Sequence, residues 1–294
     1  MSGRVGGRGG GRVGGRVGGE AGGGPRRTGV GAVPVGLRSA LVLAVASVAG
    51  LMMLVWPLLV QADPGARVQP PFVFLVLVPV VLVVVLAELS EGGIDSRALA
   101  VLGVLTAVNA VMRGLGAGTA GIELVFFLLV LAGRVFGPGF GFVLGTLSLF
   151  AGALLTAGVG PWLPYQMLVA GWVGLGAGLL PRRLTGRAEL AALVVYGVLA
   201  AYAYGLLLNL QGWPYLLGVG VPGVDGQGLT FVPGDPLLEN LQRFGVYTLV
   251  TSTTSWDTGR ALTTALALVL LGPAVLTTLR RAARRAQVVR TPAG

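Results

Sequence analysis

The chain has no cysteine and no histidine, and all 21 of its basic residues are arginine. Each absence removes a class of chemistry. Without His or Cys there is no Ser-His-Asp or Cys-His nucleophile pair, no thiolate zinc site, no haem thioether attachment and no imidazole proton relay. Without Lys there is no Walker A loop and no Schiff base, so ATP-driven work requires a partner subunit. Charge is also scarce. Only 11% of the 294 residues are charged, against about 25% in soluble domains, while 54% are hydrophobic. Long, nearly uncharged runs follow one another, which is the pattern of an all-α polytopic membrane protein, because helices satisfy their own backbone hydrogen bonds in lipid.

The net charge of +10 would suggest nucleic acid in a soluble protein, but it is concentrated at the two ends. Arg4, Arg8, Arg12, Arg16, Arg26, Arg27 and Arg38 precede the first apolar run, and Arg280, Arg281, Arg284, Arg285 and Arg290 follow the last. The positive-inside rule therefore places both termini in the cytoplasm of a multi-pass protein of the cell membrane. Residues 1–34 form an Arg/Gly-rich tail with too little apolar surface to fold. It is read as a solvated, topology-fixing segment rather than an RGG-like element for RNA or anionic lipid, and no nucleic-acid partner is assigned. Residues 282–294 form a second basic tail.

Eight spans are expected, at 35–60, 71–89, 98–112, 121–136, 140–159, 164–180, 190–210 and 261–279. The first two form an N-terminal hairpin (35–90), and the other six form a core (97–281). A cleaved signal peptide is the rival reading for the first segment, since Val60-Gln61-Ala62 has small residues at cleavage offsets, but the apolar run is about twice the usual length of such a region. The third and fourth spans, at about 15 and 16 residues, fall under the usual ~17–25. The connection at 211–259 is the one long loop, external in this topology and rich in aromatics. Within it Asp235 as N-cap, Pro236 at the first helical position, and a stripe of Leu237, Leu238, Leu241 and Phe244 predict an interfacial amphipathic helix.

Small residues recur at four-residue spacing in the middle of the chain: Gly133 with Gly137, Gly141 with Gly145, and Ala170 with Gly174 and Gly178. In a bilayer such spacing lets helix backbones approach closely. Gly139-Phe140-Gly141 is not a dinucleotide fingerprint, because no strand precedes it.

A span opening Ile122-Glu123 with Phe126-Phe127, a Gly137-Pro138-Gly139 turn, a glycine-rich next span, and Gly160-Pro161-Trp162 opening another together resemble the substrate-binding S components of energy-coupling factor (ECF) transporters. The six segments from 98 to 279 match that family's six-helix core. The N-terminal hairpin and the tail are additions to it. The stretch Pro161-Trp162-Leu163-Pro164-Tyr165-Gln166-Met167 looks most like actinobacterial-type members linked with cobalamin or related corrinoids. The resemblance implies a subunit that captures a vitamin outside and docks on a transmembrane coupling subunit driven by two ATP-binding cassette ATPases. No cofactor, metal or catalytic residue is implied, and the chain is not expected to be an enzyme.

Docking in that family uses small residues on the first core helix. The candidates here are Gly103 with Ala107 and Thr106 with Ala110, while Ala40 and Ala44 in the hairpin offer a second face. Substrate contacts are expected at the outer ends, where intramembrane polar groups mark function. Asn109 and Arg113 lie four apart on one helical face and Glu123 opens the next span, so an Arg113–Glu123 ion pair is expected, either structural or lining the site. Trp162, Tyr165, Gln166, Tyr202, Asn209, Trp213 and Trp256 face the same level, although Trp and Tyr there also serve as interfacial anchors. Asp257 and Arg260 are expected to pair with one another, and Arg134, Glu88 and Glu189 sit at cytoplasmic ends. A ligand-free membrane scaffold and a stand-alone secondary carrier are the rivals. The sequence shows neither the inverted repeats nor the midplane charges of a carrier.

Overall fold

The computed structural model describes residues 35–59, 76–87 except 77, 81 and 84, 96–116, 121–216 and 228–287. The Arg/Gly tail, the cleavage-like Val60-Gln61-Ala62, Glu88 and the last residues of the basic tail lie outside them. The described residues are mostly helical, with no strand among them, and the chain is an all-α membrane protein. Among the described residues, five helical stretches are long and apolar enough to cross a bilayer.

In chain order the helices are α1 (Leu37–Leu54), α2 (Trp56–Leu59), α3 (Ser96–Gly116), α4 (Val125–Phe136), α5 (Pro138–Leu155), α6 (Leu163–Leu179), α7 (Gly186–Leu216), α8 (Leu237–Thr248), a π-helix (Leu249–Asp257) and α9 (Thr258–Gln287). The first expected span breaks at Val55, because Pro57 has no N–H to give and its ring opposes the carbonyl four residues back. The third is longer than expected, at 21 residues. Arg113 does not end it, since the guanidinium finds acceptors inside the protein. The fourth is only 12 residues, or about 18 Å. It can be short because it is the hub of the bundle, touching α3, α5, α6, α7 and α9. Val125 to Gly133 along it are all buried.

The hub is closed by glycine. Gly133 on α4, Gly141 on α5 and Gly174 on α6 meet so closely that a Cβ on Gly141 or Gly133 would run into the carbonyl of Gly174, and one on Gly174 into that of Gly141. Lipid gives helices no hydrophobic reason to associate, so dispersion between closely approaching backbones takes that role. The turn between α4 and α5 is a single residue, Gly137 at φ 97°, followed by Pro138 at the first helical position. Only glycine adopts that backbone without strain.

α1 lies on α6 and α7, where the Trp172 indole N–H donates to Ser47 Oγ at 2.9 Å. In the partly described segment after it, Val78, Leu82 and Val85 are buried at helical spacing in the same core. α3 packs mainly on α5 and leaves Ala100, Gly103, Val104, Ala107 and Val111 on an exposed face.

One end of the bundle is tied by charge. Arg134 Nε donates to Glu189 Oε1 at 2.7 Å, and its terminal nitrogens reach the carbonyls of Leu180 and Leu184 at 2.8 and 3.0 Å. Arg280 completes the clamp, donating to both Glu189 oxygens at 2.6 and 2.7 Å. With Arg134 and Glu189 side chains only 7% and 4% exposed, this fastens the ends of α4, α6, α7 and α9. Glycine at the seam leaves no room for a side chain. Gly174→Leu is expected to cost about 3 kcal/mol or more by overpacking, read as a fall in the thermal unfolding midpoint of the detergent-purified chain, whereas Gly103→Leu leaves that midpoint in place because no atom lies within 4 Å of its Cβ position.

Candidate functional site

A cavity of about 420 Å³ opens at the bundle end opposite the Arg134–Glu189–Arg280 clamp. Each wall follows from a helix geometry. α3 brings Arg113, α5 Leu149, α6 Gln166, and the approach to α4 Glu123, while α7 contributes Tyr204, Gly205, Leu208 and Asn209. Those four α7 residues are spaced one, four and five apart, so they share one helical face. The π-helix adds Thr251, Ser252, Trp256 and Asp257, and α9 adds Arg260.

The floor is an ion trio. Arg260 Nε donates to Glu123 Oε2 at 2.6 Å and its NH1 nitrogen to Asp257 Oδ1 at 3.0 Å, while Ser252 Oγ donates to Asp257 Oδ2 at 2.8 Å. The guanidinium carbon also lies 4.9 Å from the Tyr204 ring centre and 5.6 Å from that of Phe126, adding cation–π attraction. Gly205 makes room for this, since a Cβ there would overlap the Asp257 carboxylate. Arg113 is held differently, donating to Leu149 O at 3.0 Å and to Gln166 Oε1 at 2.9 Å.

This geometry corrects the expected Arg113–Glu123 pair. Helix α4 begins at Val125 rather than Gly121, so Glu123 sits on its non-helical approach and pairs with Arg260 of α9. The Asp257–Arg260 pair is present, but buried and shared with Glu123 rather than standing alone.

The profile of the family described as "ECF transporter, substrate-specific component" matches residues 97–282. The chain belongs to this family. No curated protein and no solved structure matches. ECF substrate-specific components are membrane subunits that bind a transported small molecule and work with other ECF subunits, and theirs is not a family of enzymes. Residues 35–59 and the tail lie outside the matched region.

Within this S component, five residues singled out from the sequence line the cavity: Arg113, Glu123, Gln166, Asn209 and Trp256. Five others do not. Asn109, one turn from Arg113, is fully buried, with no hydrogen-bond partner for its amide among the described residues. Tyr165 is in the apolar core, about 100° round α6 from Gln166. Tyr202 bonds Thr258 Oγ1 at 3.0 Å. It stands about 200° round α7 from Tyr204, so only one of the two tyrosines reaches the cavity. Trp162 is 52% exposed, and Trp213 is 1% exposed at the centre of a separate cluster with Leu210, Leu229, Phe244 and Tyr247.

That cluster orders the segment above the cavity. The Trp213 indole donates to Leu229 O at 2.9 Å and its ring lies 5.4 Å from Phe231 and from Phe244. Asn240 closes the turn before α8 by bonding both the N–H and the carbonyl of Val232 at 3.0 Å. Helix α8 starts one residue later than expected, with Pro236 as N-cap, and Asp235 instead pairs with Arg243 at 2.6 Å. Its buried stripe is Asn240, Phe244, Tyr247 and Thr248. Leu237 and Leu238 face outward, a correction to the expected leucine stripe. The run 211–259 is also less of a loop than expected: its first residues extend α7, and 249–257 lead without a break into α9.

Tyr204, Thr251 and Ser252 were not marked by the sequence. The face shared by Tyr204, Gly205 and Asn209 was the available signal, together with the polar run Thr251-Ser252-Thr253-Thr254-Ser255 set against an apolar span. Removing one member of the ion trio leaves buried charge unanswered. Arg260→Gln is expected to cost about 3–5 kcal/mol, measured by thermal unfolding in detergent, and adding Glu123→Gln with Asp257→Asn restores part of the loss.

Proposed function

We propose that this S component captures a small polar micronutrient from outside the cell in the Arg113–Gln166–Asn209 cavity and delivers it by docking the exposed face of α3 on a coupling subunit powered by two ATPases. The observation that carries this is the placement of the cavity. It lies at the end of the bundle opposite Arg134, Arg280 and the Arg182-Arg183 turn, and the positive-inside rule assigns the arginine-rich end to the cytoplasm. The volume of about 420 Å³ falls within the range of about 300–1,000 Å³ usual for small-molecule sites. Two arginines, two carboxylates, two amides and Trp256 suit a ring-bearing ligand with polar edges. Cobalamin is the ligand to which the family resemblance points first, and the cavity volume favours smaller vitamins such as riboflavin or a queuosine precursor.

The docking assignment rests on α3. Gly103 and Ala107 lie on its exposed face with Ala100, whereas Thr106 is half-buried and Ala110 turns into the bundle. The Ala40 and Ala44 pair on α1 is exposed as well, so the two faces have to be separated by mutation. A vitamin panel beginning with cobalamin, titrated against the purified chain, tests capture; uptake into vesicles carrying the coupling subunit and ATPases tests delivery. Uptake that follows a proton or sodium gradient without ATPases would favour a carrier, and no ligand in either assay a scaffold. Gly103→Leu is expected to leave ligand affinity within about twofold while uptake falls about tenfold or more. Normal uptake in that variant moves the docking face to α1.

A further inference from the structure

The charges around the cavity are not evenly answered. Arg260 faces two carboxylates, Glu123 and Asp257, so that trio carries one net negative charge. Arg113 carries a positive charge into the same cavity, and its partners are both neutral: a backbone carbonyl and the Gln166 amide oxygen. No carboxylate pairs with it among the described residues. Two of its five N–H donors are engaged in these bonds, which leaves others for a ligand. From α7, another helix lining the same cavity, the Asn209 side-chain nitrogen is buried with no hydrogen-bond partner among the described residues. A buried donor without an acceptor and a cation without a counter-charge are each costly in an apolar surround, and both are relieved by one kind of group.

We infer that the substrate carries an ionised carboxylate, seated on Arg113 with the Asn209 amide as a second donor, and a hydrogen-bond-donating end directed toward Glu123. This rests on the substrate-binding reading above and narrows it to one chemical class. A carboxylate fits better than a phosphate. It brings a single negative charge to a single uncompensated cation, whereas a phosphate monoester at about −1.5 to −2 would set surplus charge across the cavity from Glu123 and Asp257.

The full chain in detergent is titrated with matched probes that differ in the charged group: biotin and biotinamide, pantothenate and panthenol, nicotinate and nicotinamide, and riboflavin with its 5′-phosphate. Any compound released on denaturing the purified protein is identified by mass spectrometry. The expected result is a carboxylate ligand that binds about 10- to 100-fold more tightly than its neutral partner, the size of a charge-assisted hydrogen bond. Arg113→Gln should abolish that preference. Gln166→Glu should abolish it too, by supplying Arg113 with a carboxylate from the protein itself, while the unfolding midpoint stays at or above that of the unaltered chain, so lost binding there is not lost folding. A neutral, cationic or phosphorylated ligand that binds as tightly, or a preference that survives both variants, overturns the carboxylate assignment and leaves substrate binding standing. Failure of every probe, with nothing released from the protein, would instead count against the substrate-binding reading itself.

Discussion

A charge buried in an apolar bundle has to be answered from within the protein, because the membrane offers it neither water nor counter-ions. At Arg260 that requirement organises the upper half of the molecule. The guanidinium gathers Glu123 from the approach to α4 and Asp257 from the π-helix, and its cation–π contacts reach Tyr204 on α7 and Phe126 on α4. Ser252 holds the far oxygen of Asp257, and Gly205 is glycine because the carboxylate occupies the space of its Cβ. The floor of the cavity is therefore a by-product of satisfying one cation. The walls are set by whichever helix faces stand round it.

The lower half is held by a different force. Gly133, Gly141 and Gly174 bring three backbones into contact, and the Arg134–Glu189–Arg280 clamp fastens the adjoining ends. The two regions divide the labour. Close packing and a satisfied clamp make one end rigid, while the cavity end is built from polar side chains, a π-helix and a segment ordered by the Trp213 cluster. π-Helical turns are uncommon and often found at functional sites. Here nine residues of it carry four of the groups that line the cavity.

The contrast between Arg113 and Arg260 gives the site its character. Both line the same cavity, one from α3 and the other from α9, yet Arg260 is neutralised twice over and Arg113 is met only by neutral oxygens. A site with such a dipole selects for ligands with matching ends, and specificity of this kind follows from leaving the wrong ligand's partners unsatisfied rather than from shape alone.

Much of this protein is legible in its sequence. Scarce charge and repeated apolar runs specify helices in a bilayer, since no other element satisfies its backbone there without closing a barrel. Four-residue glycine spacing specified the seam between α4, α5 and α6, and the residues that carried the family resemblance lie within the segment matched by the family profile. Arg113, Glu123, Gln166, Asn209 and Trp256 were identifiable as polar or aromatic groups at one level. What the sequence could not decide was the partner of each. Glu123 is ten residues from Arg113 and 137 from Arg260, and only the packing of α9 against α4 makes the distant arginine the nearer one. Tyr202 and Tyr204 look alike in the chain, and the rotation of α7 chooses between them. Trp213 reads as an interfacial aromatic until the turn at Leu229 folds over it. Local periodicity gives the face of a helix, but which face meets which neighbour depends on the rotation and depth of every helix in the bundle, and those are settled only when all of them pack together.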